Sequence, residues 1–394
     1  MTKQIISTLL LLLSITPCLM AQKKELSQAR SYIKSGNYDG ADQLMMNLLK
    51  DTANRANEKV YLTLYDAVRG KYNQGNEKFY LKQSLDTAAF FGNVNRMFMV
   101  LETLDSIDAR PDKKGRVAPS YRKRHASQMD AQRSNLFNGG VFHVRKGNWK
   151  DAYKFFQTYI DCRKQPLFTG YDYNTRDKRM PEAAYWATFS AYKQHDPELT
   201  LRYQNTALLD SSRAAFTLQY VAEAYLWQND RDLYLTTLQE GFRRFPQFAY
   251  FFPRLIDEYT RLGQHEKALA AADSAIAVND SSQLFLFAKS SALLRLERNE
   301  ACIEVCQRLI QLNDSLSEVY FNAGTAHMNI AMMASEDNDK KTASQHYQSA
   351  RTYMETYRKM CPDEKSKWAP ALYRIYLNLN MGRQFDEIDE LLKK

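Results

Sequence analysis

The chain has 394 residues, 44% of them apolar and 25% charged, a length that exceeds one compact core and points to several domains or to a repeat array. Glycine (14) and proline (10) are scarce, which argues against turn-rich all-β folds and favours long helices. The net charge of +9 is spread along the whole chain, so an anionic partner is indicated only where basic residues cluster.

At the N-terminus Lys3 precedes the apolar run "IISTLLLLLSI", and the small residue Ala21 stands before Gln22. This is the layout of a secretory signal peptide over 1–21. The run is shorter than the ~20 residues a membrane span needs, and Thr16, Pro17 and Cys18 interrupt it. The mature chain is therefore expected to be exported, to a periplasm or the inner side of an outer membrane, with no transmembrane segment after signal removal. Cys18 offers a lipidation site, although Pro17 stands where such a signal uses a small residue. Export disfavours nucleic acid as a partner.

Residues 22–111 read as N-terminal helical repeats. Tyr32, Gly36, Tyr38 and Ala41 mark a helix pair over 22–55. Residues 56–77 predict a helix with no evident partner, and 78–111 a weaker pair through Gly92 and Leu101. The segment 112–132 reads as a basic connection. Its stretch "KKGRVAPSYRKRH", Lys113 to His125, has no acidic residue and predicts a solvated loop. Its functional reading is contact with an anionic surface, such as a phospholipid headgroup or an acidic polysaccharide.

The region 133–394 reads as a longer array. Gly140, Gly147, Trp149, Ala152 and Phe156 mark a pair over 133–166. Residues 167–180, polar and aromatic, are an insertion, and Tyr185 and Tyr192 lie in an approximate unit over 181–214. From Ala215 the pattern gives Leu218, Val221, Ala222, Tyr225, Leu238 and Pro246. From Ala249 it gives Phe252, Leu255, Tyr259, Ala268 and Ala272, with Gly263 ending the first helix. From Gln283 it gives Leu286, Leu293, Cys302, Cys306 and Leu309, and from Ser317 it gives Tyr320, Ala323, Gly324 and His327. These starts are 34 residues apart. The last of these units is lengthened, its second helix restarting seven residues late through Ala343, Tyr347 and Ala350. A final pair is expected over 369–394.

Helix–turn–helix units at this period, with tyrosine, alanine and glycine in these places, resemble the tetratricopeptide repeat. The resemblance covers about three quarters of the mature chain. It implies an all-α fold, an α-solenoid of stacked antiparallel helix pairs wound into a right-handed superhelix, in which each pair is stable only against its neighbours. It also implies a concave face lined by first-helix positions two, five, nine, twelve and thirteen. Mapped onto this sequence, the expected partner-binding groove contains Phe216, Trp227, Tyr250, Arg261, Phe287, Arg295 and Phe321. A competing reading packs some of these aromatics between helices. A family subset grips carboxylate termini with Lys at position five and Asn at positions six and nine. Here position five reads Gln219, Pro253, Phe287 and Phe321, so that clamp is not expected.

No chemistry is expected. The histidines fall in no zinc motif and beside no second ligand, with His327 expected between helices. Serine elbows, P-loops and dinucleotide fingerprints do not occur. Cys302 and Cys306, four apart, suit a helix seam better than a disulfide or a metal. The functional expectation is an exported scaffold binding a protein or peptide in the cell envelope, with no catalytic, cofactor or metal site. The alternative is a glycan- or peptide-binding accessory of an envelope uptake system, with the tyrosines of 167–180 stacking on sugars.

Overall fold

A computed structural model describes residues 22–393. The expected signal peptide, and Cys18 with it, lies outside them. The described residues are α-helical throughout, apart from short 3-10 turns and connections, and form two compact units, 22–230 and 231–393.

In the first unit, α1 (22–34) meets α2 (Tyr38–Leu48) where Tyr32 lies against Gly40, α3 (Glu58–Tyr80) pairs with α4 (Thr87–Asp108), and α5 (Arg122–Arg145) with α6 (Trp149–Asp161). After the short α7 (Tyr173–Arg176), α8 (Met180–Tyr192) faces a broken second helix, α9 (Pro197–Arg202) and α10 (Gln204–Ala207). The unit closes with α11 (Ala214–Trp227). The second unit opens with α12 (Arg231–Arg244). Its pairs are α13 (Phe251–Arg261) with α14 (His265–Val278), α15 (Gln283–Arg295) with α16 (Asn299–Leu312), α17 (Ser317–Glu336) with α18 (Lys340–Met360), and α19 (Lys365–Asn378) with α20 (Gly382–Leu392). Within each unit a helix packs mainly on its neighbours in sequence. This is an all-α solenoid.

The repeat period is visible in the backbone itself. A first helix ends on a residue with positive φ, which turns the chain into the second helix and frees the last carbonyls for capping bonds. His195, Asn229, Gly263 and Glu297 do this at intervals of 34 residues. Asn338 follows seven residues late, because α17 and α18 are each lengthened, as the displaced Ala343, Tyr347 and Ala350 predict. Asn and Asp side chains also cap second helices: Asn37 accepts from Gly40 N, Asp86 from Ala89 N and Asp339 from Thr342 N.

Three sequence expectations are corrected. Residues 56–77 have a partner, since the long α3 pairs with the equally long α4 and the weak pair expected over 78–111 is only the second half of this one. Gly92 and Leu101 both lie within α4. The α3–α4 pair, with Lys82 taking the positive φ at its turn, runs longer than the 34-residue unit, so the residue pattern does not show it. Nor is 112–132 all connection: from Arg122 onward it is α5, which Asp105 anchors by taking two hydrogen bonds of 2.8 Å from the Arg122 guanidinium. Arg116 is likewise paired, with Asp112 at 2.9 Å.

Small residues set the close approaches. Ala268, Ala272 and Ala275 are buried on one face of α14, where Phe252 of α13 and Ala288 of α15 cluster with Ala272 and Ala275. Cys302 and Cys306 fill the same kind of seam in α16, both buried, with Sγ atoms 4.0 Å apart and Cys302 donating to Ser290 O. Gly140 of α5 lies under the fully buried ring of Phe156, and an added Cβ would come within 2.6 Å of it. Gly140→Ala is therefore expected to destabilise the first unit by about 1–2 kcal/mol, the clash outweighing the helix-propensity gain. Urea denaturation checks this, and an unchanged midpoint would contradict it.

Polar groups also bind the helices. Asp42 of α2 takes both guanidinium arms of Arg96 (2.6 and 2.7 Å) and the Lys71 ammonium (3.0 Å), tying α2, α3 and α4 together. Burial raises its pKa, but the hydrogen bonds and charges of Arg96 and Lys71 outweigh this and hold the carboxyl below its ordinary range.

The insertion is folded onto the first unit by Arg133 of α5. Its guanidinium lies between the rings of Tyr159 and Tyr173, 3.8 and 3.9 Å from their centroids. It donates to Asp177 Oδ2 at 2.6 Å and to Tyr159 O at 2.9 Å. Tyr173 in turn donates to Asp130 Oδ1 at 2.7 Å.

Candidate interaction surface

The residues expected to form one groove divide between the two units. In the first, Phe216 projects from α11 and is exposed, while Trp227 is half-buried, stacked on Tyr192 (centroids 5.4 Å apart) and tilted against His195. In the second, Tyr250 is buried with the Arg254 guanidinium 3.9 Å above its ring, so it offers no groove surface. Here the competing expectation, packing between helices, is the one the burial agrees with. Arg261 is exposed but donates twice to the buried Glu258, which also binds Arg231. Phe321 is half-buried against Tyr357, Phe287 is half-buried, and Arg295 is exposed.

The first-helix face of the first unit holds a better-formed feature. Between α3 and α5 lies an open pocket of about 300 Å³, lined by Tyr65, Arg69, Tyr72, Asn73, Gln128 and Gln132, with Met97 of α4 and Met129 among its apolar walls. Tyr65 donates to Gln128 Oε1 across the gap at 3.0 Å, and Asn135 donates to Gln132 Oε1 at 2.9 Å and to Tyr72 Oη at 3.3 Å. Burial raises the pKa of both phenols, so each remains a neutral hydrogen-bonding group. The pocket thus presents amide donors and acceptors, two phenols and one guanidinium. It has no nucleophile–base pair.

These residues are absent from the expected groove positions, because the residue pattern leaves α3 without a partner. The signal is nevertheless present. Residues 65, 69, 72 and 73 have the same spacing as family positions five, nine, twelve and thirteen.

On the opposite, second-helix side of the same unit, a cavity of about 350 Å³ lies between α4 and α6. Asn95 Oδ1, Glu102 Oε1 and Asp161 Oδ1, from three residues that line it, are buried there without a hydrogen-bond partner. Burial first, and then the Asp161 charge, push the Glu102 carboxyl up to about 7.

Two further expectations change. Tyr173 of the insertion is buried in the Arg133 stack and cannot act as a sugar platform, which leaves the half-buried Tyr171 beside it. His327 does lie between helices as expected, but it has a histidine neighbour. Its Nδ1 is 3.0 Å from Nδ1 of His346, because the lengthened α17 and α18 bring these positions together. Burial, with His346 beside it, lowers the His327 pKa to about 4. Among the described residues no group of three potential metal ligands occurs, and no helix is long and apolar enough to cross a membrane.

The stacked pairs, the positive-φ residues at the 34-residue period and the buried alanine seams define a solenoid of tetratricopeptide type. No family model matches the chain, and no curated protein matches it. Among solved structures it is similar to the C-terminal part of a TPR repeat-containing protein from Cytophaga hutchinsonii, at 12% identity over 64% of this chain and 92% of that one, TM-score 0.42. It is also similar to MamA from Desulfovibrio magneticus RS-1, at 18% identity over 45% of this chain and 96% of that one, TM-score 0.32. A third is PilF of Pseudomonas aeruginosa, at 13% identity over 59% and 98%, TM-score 0.31. With TM-scores this low, the fold assignment stands on the packing within the chain.

Proposed function

We propose that the protein is an exported, non-catalytic scaffold that holds an extended segment of a partner protein on the first-helix face of its first unit. The observation that carries this reading is the open polar pocket between α3 and α5. An extended peptide exposes backbone N–H and C=O groups at regular intervals, and each must be paired when it leaves water. Side-chain amides meet that need for any sequence, since each has both a donor and an acceptor. Asn73, Gln128 and Gln132 supply such amides. Arg69 adds the means to prefer a segment with an acidic residue. The exposed Phe216 and half-buried Trp227 extend the contact surface on α11 of the same unit. Export rests on the pattern of residues 1–21.

The test is site-specific photocrosslinking in cells. A photoreactive residue at Gln128 is expected to yield a discrete protein adduct in the envelope fraction. Arg69→Ala with Asn73→Ala is expected to reduce its yield about tenfold while circular dichroism stays unchanged. An adduct that forms equally in that variant, or none at all, would overturn the pocket as the binding surface. An adduct found only in the cytosol would overturn export alone.

A further inference from the structure

At the tip of the longest first-unit pair, three consecutive large apolar residues stand in solvent: Phe79 is 68% exposed, Tyr80 85% and Leu81 53%. Side chains of this size are not left out in sequence order by packing requirements. The tip is also raised above its neighbour. Tyr38, at the start of α2, lies against Gly70, and Asp39 reaches Lys71, so the last turns of α3 extend past the start of α2. Phe79 stacks on Phe90 of α4, with centroids 6.4 Å apart, which holds the protrusion in place.

At the tip Lys78 and Lys82 stand beside Glu77 and Asp86, and the excess of positive charge comes from the rest of the same edge. Both lysines flank the tip directly and are exposed. Ring contacts Phe90–Phe91 and Phe91–Phe142 carry the same edge of the unit across to the end of α5, where Arg145 and Lys146 are exposed. Trp149, just beyond, touches Phe189 near the end of α8, which leads to Lys193. Bases outnumber acids along this edge. Asp86 and Asp196 cap helices by accepting from Ala89 N and Leu199 N, and Asp151 pairs with Lys154. Glu77, on the tip itself, and Glu198, at the start of α9, are exposed. The basic stretch 113–121 leaves the other end of α4, so it belongs to the opposite edge.

An aromatic and aliphatic tip flanked by lysines matches the layered chemistry of an anionic bilayer surface. The rings and Leu81 enter the boundary between headgroups and acyl chains, and the lysine stems lie along it while their ammonium groups reach lipid phosphate. We propose that the Phe79–Leu81 tip and its basic edge dock the first unit on an anionic lipid membrane. This surface is separate from the α3–α5 pocket, and the inference does not depend on what that pocket binds.

The experiment is flotation of the full-length protein with vesicles of phosphatidylcholine alone or mixed with phosphatidylglycerol. Co-flotation with the mixed vesicles is expected, about tenfold weaker on neutral vesicles and falling as salt rises. Phe79→Ser, Tyr80→Ser and Leu81→Ser together are expected to abolish it, and Lys78→Glu with Lys82→Glu to reduce it about tenfold or more. Circular dichroism should not move, and melting should fall only by the small loss of the Phe79–Phe90 stacking. As a second readout, the Tyr80→Trp variant should give a blue-shifted emission on adding anionic vesicles. Failure to float, flotation indifferent to the tip substitutions, or an unshifted emission from the Tyr80→Trp variant would overturn the proposal. So would a tip that binds only protein in the envelope extract.

Discussion

Replacing Arg133 with alanine is expected to destabilise the first unit by about 3–5 kcal/mol, the largest single-residue effect in the chain. The side chain is buried, and so is most of its carboxylate partner Asp177. Its loss strands that charge, frees the carbonyl of Tyr159, and removes the cation from between two rings that now face only each other. Lysine should recover little, because it restores a charge but neither the planar fork nor the stacking surface. The segment that Arg133 holds, from Arg163 to Arg179, should open before the helix pairs do. The expected observation is a lower melting temperature, by about 10 °C, with new protease cleavage inside that segment. Arg133→Met combined with Asp177→Asn should cost less than the two single losses added, since no charge is then left buried. A melting curve unmoved by Arg133→Ala would show that the insertion is held by something else.

Glu102→Gln is expected to stabilise the protein at pH 8 by about 2–3 kcal/mol, an unusual direction for a partly buried polar substitution. The carboxyl lies beside Asp161 with Oε1 buried and unpaired, and its pKa stands at about 7 against an ordinary 4.5. A raised carboxyl pKa means that the folded chain binds the proton more tightly than the unfolded chain. Its stability is therefore complete below about pH 4.5, falls as pH rises towards 7, and stays reduced above it. The difference corresponds to about 3 kcal/mol, trimmed by the solvent the group still sees. Glutamine removes this dependence. Urea unfolding of both forms at pH 4.5 and at about pH 8 should show near-equal stability at the lower value and a gain for glutamine at the higher. Equal midpoints at both values would mean that Glu102 is solvated in the folded state.

Neither residue announces itself in the sequence. Arg133 is one of 54 basic residues, in the middle of a helix. What distinguishes it is that Tyr159, Tyr173 and Asp177, on three later segments, converge on its guanidinium. Glu102 is likewise an ordinary helical glutamate until α6 sets Asp161 beside it. The repeated units are legible for the opposite reason. Their turns and seams are local: a positive-φ residue closes each first helix, and Ala268, Ala272 and Ala275 are read directly from spacing. Where α3 and α4 run longer than the repeat unit, the register lapses and α3 has no visible partner in the sequence.

The groove shows the same division. Position numbers correctly place Phe216, Trp227, Phe287 and Phe321 on first helices, but position alone does not say how far a ring is covered. Tyr250 is buried beneath Arg254, and Phe321 leans on Tyr357. The pocket that does stand open needs α3 and α5 side by side, and these helices begin 64 residues apart.

Helix content, the 34-residue period and the small-residue seams follow from interactions between residues within about two turns, or one repeat, of each other, which a linear text records. Burial of a given ring, the pairing of Arg133, the lifted pKa of Glu102 and the bare tip at Phe79–Leu81 depend on what distant segments place next to each group. Those neighbours are set by packing across helix pairs, and only the folded chain brings them together.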